Sequence, residues 1–370
     1  MSIVSRYRTT RDWVIRNEHH LSTIVFFGGF VIDNLTLTRI DLWFDNAILL
    51  SYLVISGISI LVINTVRERA ERLEQKRLSK RIHTVAMLAM HFALGGVFSA
   101  FIIFYTRSAD ILTSWPLLLL ILIVMVANEF FKKPYQETVF QISIYFLAIF
   151  LYTIFSIPIL LKHVGALIFV ASSFVSLLLI RLFLRCLRWF APDSMYRSRA
   201  PLLFAIGAIF IVMQVLYFTN ILPPIPLSLK SGNVYHFVAR QTDGSYVVER
   251  ETYPWYALVS RVKHDVHLVS GAPLYFFSAV FAPERLETSV VHRWEQYDAM
   301  TDSWIVKETI AFPIVGGRPD GFRGYSSYTP LSAGSYRVSV VTLRGQMLGG
   351  ESFRVHMSEL PPETKTDVIK

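Results

Sequence analysis

The sequence predicts an α-helical membrane bundle of seven transmembrane helices followed by a C-terminal all-β sandwich of immunoglobulin-like type. Three observations predict it. Apolar runs of about 20 residues recur through residues 1–222, long enough to cross a bilayer as helices. Basic residues collect in alternate connections between those runs. From residue 233 the apolar period changes to two, the signature of half-buried strands.

The composition agrees with this division. Hydrophobic residues make up 53% of the 370, more than an ordinary soluble domain carries. Residues 1–222 hold 21 Lys/Arg against 12 Asp/Glu, and residues 223–370 hold 15 against 15, so the net charge of +9 belongs entirely to the apolar half. The single cysteine, Cys186, excludes an intrachain disulfide and reads as an inert structural thiol, with redox or lipidation chemistry as the alternative.

Six runs are unambiguous: Asn46–Val66, Thr84–Tyr105, Ile111–Phe131, Thr138–Leu161, His163–Leu187 and Ala200–Leu222. A seventh, Leu21–Ile40, is interrupted by Asp33 and Asn34. Charge decides its status. With this span included, one side of the membrane collects 18 Lys/Arg and the other 3, which is the positive-inside pattern and puts the N-terminus in the cytoplasm. The stretch VRERAERLEQKRLSKRIH (residues 66–83) is then a cytoplasmic connection extending the second helix. Glu68–Arg72 and Glu74–Arg77 have helical salt-bridge spacing. Its basic side chains suit anionic lipid headgroups, and no nucleic-acid partner is expected.

Seven spans from an inside N-terminus put the C-terminal half in the periplasm of a bacterial inner-membrane protein. Residues 223–232 form a Pro-rich linker, since the prolines of ILPPIPLSLKSGN stop the helix. Residues 233–356 carry about eight strands, beginning with NVYHFVAR and SYVVERETY around the turn QTDG. This segment is expected to fold alone. Residues 357–370 are a polar tail expected to fray.

The segments FAPERL (Phe281–Leu286), HRW (His292–Trp294), GGRPDGFRGYS (Gly316–Ser326), GSYRVSVVTLRGQMLG (Gly334–Gly349) and FRV (Phe353–Val355) resemble a bacterial family of uncharacterised function. The resemblance covers about 75 residues. It implies a β-domain placed after a multi-span membrane region, and no known activity. This chain departs from the pattern at Tyr336, where a Trp is expected, and at Ser327–Tyr328, where an aromatic and a Lys are expected.

Candidate site residues divide by strand face. His292 and Trp294 share a face with Val290 and are assigned to the core, the Trp packed beside a hydrogen-bonded His. Arg293, Asp298, Arg323 and Tyr325 are candidates for binding a ligand or partner, because sugars and peptides are held by aromatic faces with charged groups beside them. Arg323 is expected to be exposed in a glycine-bounded loop. GGRPDGFRG lacks the Lys-Ser/Thr ending of a phosphate loop and reads as a tight connection between strands. His264 and His267, three apart on a strand, point to opposite faces and do not share a metal. Among the spans, His91, Gln141 and Gln214 suit helix–helix hydrogen bonding. No catalytic residue, metal site or cofactor is expected. The favoured function is non-catalytic binding of an envelope glycan, peptide or protein by the sandwich, with the bilayer as the helices' partner. The alternative is a membrane enzyme or transporter acting on a lipid-linked substrate at the outer helix ends, near Asp33, Asp41 and Asp45.

Overall fold

The computed structural model describes residues 43–73, 76–108, 134–222, 226–251, 264–283, 286–318, 320–330 and 332–369, with residues 115, 119 and 123. The run Leu21–Ile40, with Asp33 and Asp41, lies outside the described residues, as does most of Ile111–Phe131. The chain divides into two compact units, a helical one and a β-rich one that takes in residues 220–370.

Among the described residues, five helices are long and apolar enough to cross a membrane. They are α1 (Trp43–Leu73), α2 (Lys76–Ser108), α3 (Pro134–Leu161), α4 (Ala166–Phe190) and α5 (Pro192–Phe218). The basic stretch after Val66 is helical on both sides, continuing α1 to Leu73 and opening α2 at Lys76. Small and polar residues set the packing. On α4 the buried stripe is Phe169, Ser172, Ser173, Ser176, Ile180 and Leu187, and each of its serines returns its hydroxyl to a carbonyl of its own helix. Gly57 on α1 admits the Tyr145 ring of α3, whose hydroxyl would stand 2.5 Å from any Cβ there.

One polar cluster ties three helices together. Asn64 of α1 accepts from Thr138 of α3 at 2.9 Å and from Ser194 of α5 at 3.2 Å. One turn on, the Glu68 carboxylate accepts the backbone N–H groups of Asp193 and Ser194 at 3.1 and 3.3 Å. A helix leaves its first N–H groups unpaired and carries partial positive charge there, so Glu68 acts as a cap for α5 supplied by another helix. His91 spends its Nδ1 on the Met87 carbonyl of its own helix. Asp45 is buried in the first turn of α1.

The β-rich unit contains β1 (Ser228–Tyr235), β2 (Phe237–Arg240), β3 (Tyr246–Glu251), β4 (His264–Val269), β5 (Leu274–Phe281), β6 (Glu287–Asp298), β7 (Ser303–Val315), β8 (Phe322–Tyr328), β9 (Gly334–Thr342), β10 (Met347–Ser358) and β11 (Thr364–Ile369). They form a five-stranded sheet, β4-β10-β9-β6-β7, and two three-stranded sheets, β1-β5-β8 and β11-β3-β2. All pairings are antiparallel except β4 with β10. The alternation of β5 serves two faces. Phe276 and Ser278 meet His292 of the five-stranded sheet, while Tyr275, Phe277 and Ala279 meet Tyr235, Val238, Tyr246 and Val248. Three layers therefore share β5 as their middle.

Two boundaries differ from the sequence reading. β1 begins at Ser228, inside the stretch read as a linker, because its Ser228–Tyr235 backbone is paired along β5. Residues 364–369 of the polar tail form β11 rather than fraying, paired with β3 from Thr364↔Glu251 to Ile369↔Tyr246 and anchored by Arg250–Asp367 at 2.7 Å. A fragment limited to 233–356 cuts into one sheet and removes a strand from another. We expect a 226–369 fragment to melt at least about 3 °C above a 233–356 fragment, a difference of about 1 kcal/mol in a domain of this size. Equal melting temperatures would show that β11 and the start of β1 contribute nothing.

Candidate functional site

The Val290–His292–Trp294 face of β6 turns into the space between the five-stranded and β1-β5-β8 sheets. His292 and Trp294 are both fully buried. The imidazole is held at both ends: Ser278 Oγ lies 2.7 Å from Nε2 and Ser326 Oγ 2.8 Å from Nδ1. Trp294 donates its Nε1–H to the same Ser326 hydroxyl at 3.0 Å. A serine against a histidine has the outline of a nucleophile and its base. Here, however, both ring nitrogens are occupied by hydroxyls, and the group is sealed between Phe276 and Phe312, each edge-on to the ring. Burial pushes the His292 pKa down to about 3, so the ring is neutral. This constellation satisfies the polar atoms of a core.

The four residues proposed for binding do not converge. Arg293 lies on β6 between Ser339 of β9 and Thr309 of β7, on the face opposite His292. Asp298 ends the same strand and makes a turn, accepting from Met300 N–H at 3.0 Å and Thr301 Oγ1 at 2.8 Å. Those bonds hold its carboxyl below the usual range. Arg323 and Tyr325 belong to β8 in another sheet. Because Ser326 and Gly324 turn inward against His292 and Phe312, Arg323 and Tyr325 face the other way. Arg323 is not in an exposed loop. It lies in β8 with its side chain 16% exposed, 3.9 Å from Asp320.

Around Tyr325 the structure assembles an aromatic row that strand-by-strand reading did not find. Tyr325 lies 6.2 Å from Tyr275 of β5, which lies 6.1 Å from Phe237 of β2, and Tyr246 of β3 backs Tyr325 at 6.3 Å. Phe237 and Tyr325 are each 41% exposed. The rings come from four strands, and only their pairing makes them neighbours.

The glycines of GGRPDGFRG have a different duty. The N–H of Gly316 bonds Leu286 O at 2.9 Å, that of Gly317 bonds Ala282 O at 3.1 Å, and that of Gly321 bonds Arg318 O at 3.0 Å. These three glycine donors are satisfied by carbonyls of the chain itself. A Cβ on Gly316 would run into the Pro283 carbonyl, and Gly321 sits at φ +88° against the Val280 backbone. Tyr336 is a packing residue: its ring stacks on Phe353 at 6.1 Å and its hydroxyl donates to Ser332 O at 2.9 Å.

A second polar group was also missed. Glu251, nearly buried, accepts from His236 Nε2 at 2.9 Å, His267 Nδ1 at 3.0 Å and His267 N–H at 2.6 Å. Burial pushes the Glu251 carboxyl up, but the donors from His236 and His267 outweigh it and hold the pKa below its usual value. The parallel β4–β10 pairing sets His267 opposite His356, with ring centroids 5.5 Å apart. No group of three or more His, Cys, Asp or Glu among the described residues is placed to hold a metal. Glu251 instead fastens the end of β3 to His236, between β1 and β2, and to His267 of β4.

Residues 287–355 match a family described as "Protein of unknown function (DUF2914)", an interval that runs from the start of β6 into β10. No curated protein matches the chain. Among solved structures the chain is similar to the Pseudomonas fluorescens alkylpurine DNA glycosylase AlkC bound to DNA containing an abasic site analog. That likeness has 10% identity and a TM-score of 0.22, covers 82% of this chain and 99% of that one, and carries no argument about fold or function.

Proposed function

We propose that the chain is a seven-span bacterial inner-membrane protein, N-terminus in the cytoplasm, whose periplasmic immunoglobulin-like β-domain binds an envelope glycan or peptide. The supporting observation is the row Phe237–Tyr275–Tyr325. Partly exposed rings packed edge to face and tilted on one another give a sugar or an extended peptide an apolar surface, and the Arg323–Asp320 pair beside Tyr325 supplies charged donors and acceptors. Arg293 and Asp298, on a different sheet, are not part of this surface. The 18-to-3 division of Lys and Arg between alternate connections supports the orientation.

The test is titration of the detergent-solubilised full chain with soluble peptidoglycan fragments. Tyr325→Ala and Phe237→Ala should each weaken binding about tenfold while costing the fold no more than about 1–2 kcal/mol, since each ring is partly buried. Binding unchanged in both variants would remove the aromatic row as the site. No binding by the parent would remove the glycan as its ligand.

A further inference from the structure

One face of α4 changes character partway along. Phe174, Leu178, Arg181, Arg185 and Arg188 follow one another at spacings of four, three, four and three, which keeps them on a single helical stripe. All five side chains are exposed. The opposite stripe, with the three serines, is the one that packs. The exposed stripe is apolar in its first half and cationic in its second. Three guanidinium groups occupy about 10 Å of helix at 1.5 Å per residue, followed by Trp189 at 88% exposure. Among the described residues none of these arginines is in an ion pair or side-chain hydrogen bond. Between Arg181 and Arg199 the sequence holds five arginines and a single acid, Asp193, which lies in the first turn of α5.

From this pattern we infer that the Phe174–Arg188 stripe is a binding site for one anionic phospholipid, lying along α4. The acyl chains run over Leu178 and Phe174, and the phosphates sit on Arg181, Arg185 and Arg188. The inference rests on the reading that α4 crosses the bilayer. Guanidinium groups in a row suit phosphate oxygens because each presents a planar fork of donors. A charge facing the acyl region without an anion is costly. Three cations exceed what one singly charged phosphate neutralises, so the occupant is a diphosphatidyl lipid of the cardiolipin type rather than phosphatidylglycerol.

Native mass spectrometry of the delipidated full chain, with cardiolipin or phosphatidylglycerol added back at equal phosphate, tests this. The parent should retain one cardiolipin and prefer it over phosphatidylglycerol. The triple variant R181Q/R185Q/R188Q should lose at least tenfold in apparent affinity, and R185Q alone at least threefold should the triple variant not fold. R240Q/K307Q/R354Q removes the same charge from exposed positions of the β-rich unit and should bind as the parent does. Retention by the arginine variants, or equal loss in both triple variants, would overturn the site. Alkaline carbonate extraction separates the two failures: release of the chain refutes the spanning reading, whereas a chain that stays in the membrane and keeps its lipid without the arginines refutes the site alone.

Discussion

Replacing Trp294 by Ala is expected to destabilise the β-rich unit by about 3–5 kcal/mol, the range for truncating a large buried aromatic. The indole is fully buried, lies 5.5 Å from the Tyr328 ring and 6.4 Å from Phe353, and donates to Ser326. Deletion leaves a cavity bounded by strands of two sheets, and neither can close it without giving up its register. It also removes one of the two partners that fix the Ser326 hydroxyl, the other being His292. Since whole domains are stable by only about 5–15 kcal/mol, the variant should melt far below the parent or fail to fold. Trp294→Phe keeps most of the volume, loses the hydrogen bond, and should cost less. Tyr325→Ala, on the partly exposed row, serves as the reference and should cost about 1–2 kcal/mol, less than Trp294→Ala, because it gives up the Tyr275 and Tyr246 ring contacts but leaves no sealed cavity. Paired urea melts of the 226–369 fragment read all three. A Trp294→Ala fragment as stable as the Tyr325→Ala one would contradict the packing described for β6.

The burial of Trp294 follows from a pattern visible in the chain, whereas the aromatic row does not, and the reason is physical. β6 and β7 run over the residues that the segments ETSVVHRWEQYD and SWIVKETIAFPIV occupy, because their β-branched and aromatic residues alternate strongly enough to mark a pleated, half-buried surface. The strands that escaped reading, FRGYSSY of β8 and TKTDVI of β11, are polar or glycine-containing. They become strands because a neighbour offers a ladder edge, a tertiary cause that leaves little local trace. Arg323 was misplaced for this reason: the glycines on either side suggested a loop, but Gly324 is there to make room for the Phe312 ring. Glu68 shows the same limit among the helices. Its spacing to Arg72 is a local signal, but its carboxylate caps α5, a partner 125 residues away. The Phe237–Tyr275–Tyr325 row depends on pairings between distant segments and the Glu251–His236–His267 group on contacts between three separate segments, and periodicity within any one segment carries no information about them. The glycine-rich motif was readable as a connection, but the carbonyls that occupy its N–H groups were not.

The stability of the 226–369 fragment should be nearly flat from about pH 4.5 to 6.5 and fall steeply below that, with His292 and Glu351 opposing one another in the flat region. His292 has its pKa pushed from 6.5 down to about 3 by burial. As the pH drops below 6.5 the unfolded chain takes up a proton that the folded chain refuses, so this residue makes stability fall with falling pH. At about 1.4 kcal/mol per pKa unit the whole window is of the order of 5 kcal/mol. Glu351 behaves oppositely. Burial pushes its carboxyl from 4.5 up to about 7, against the pull of the Val234 N–H bond. Between 4.5 and 7 the folded chain holds the extra proton, so stability rises as the pH falls through that interval. Below about 4.5 Glu351 is protonated in both states and its contribution no longer changes, while His292 continues to destabilise. There Glu251, whose pKa is held below 4.5, adds to the loss, because a depressed carboxyl stabilises only above its folded pKa. Replacing Glu351 by Gln removes the opposing group, and the variant should lose stability steadily from pH 6.5 downward instead of from 4.5. Urea melts at half-unit intervals from pH 3 to 8 distinguish the two profiles. A Glu351→Gln profile as flat as the parent's between 4.5 and 6.5 would mean that His292 is not the group that sets the acid limb.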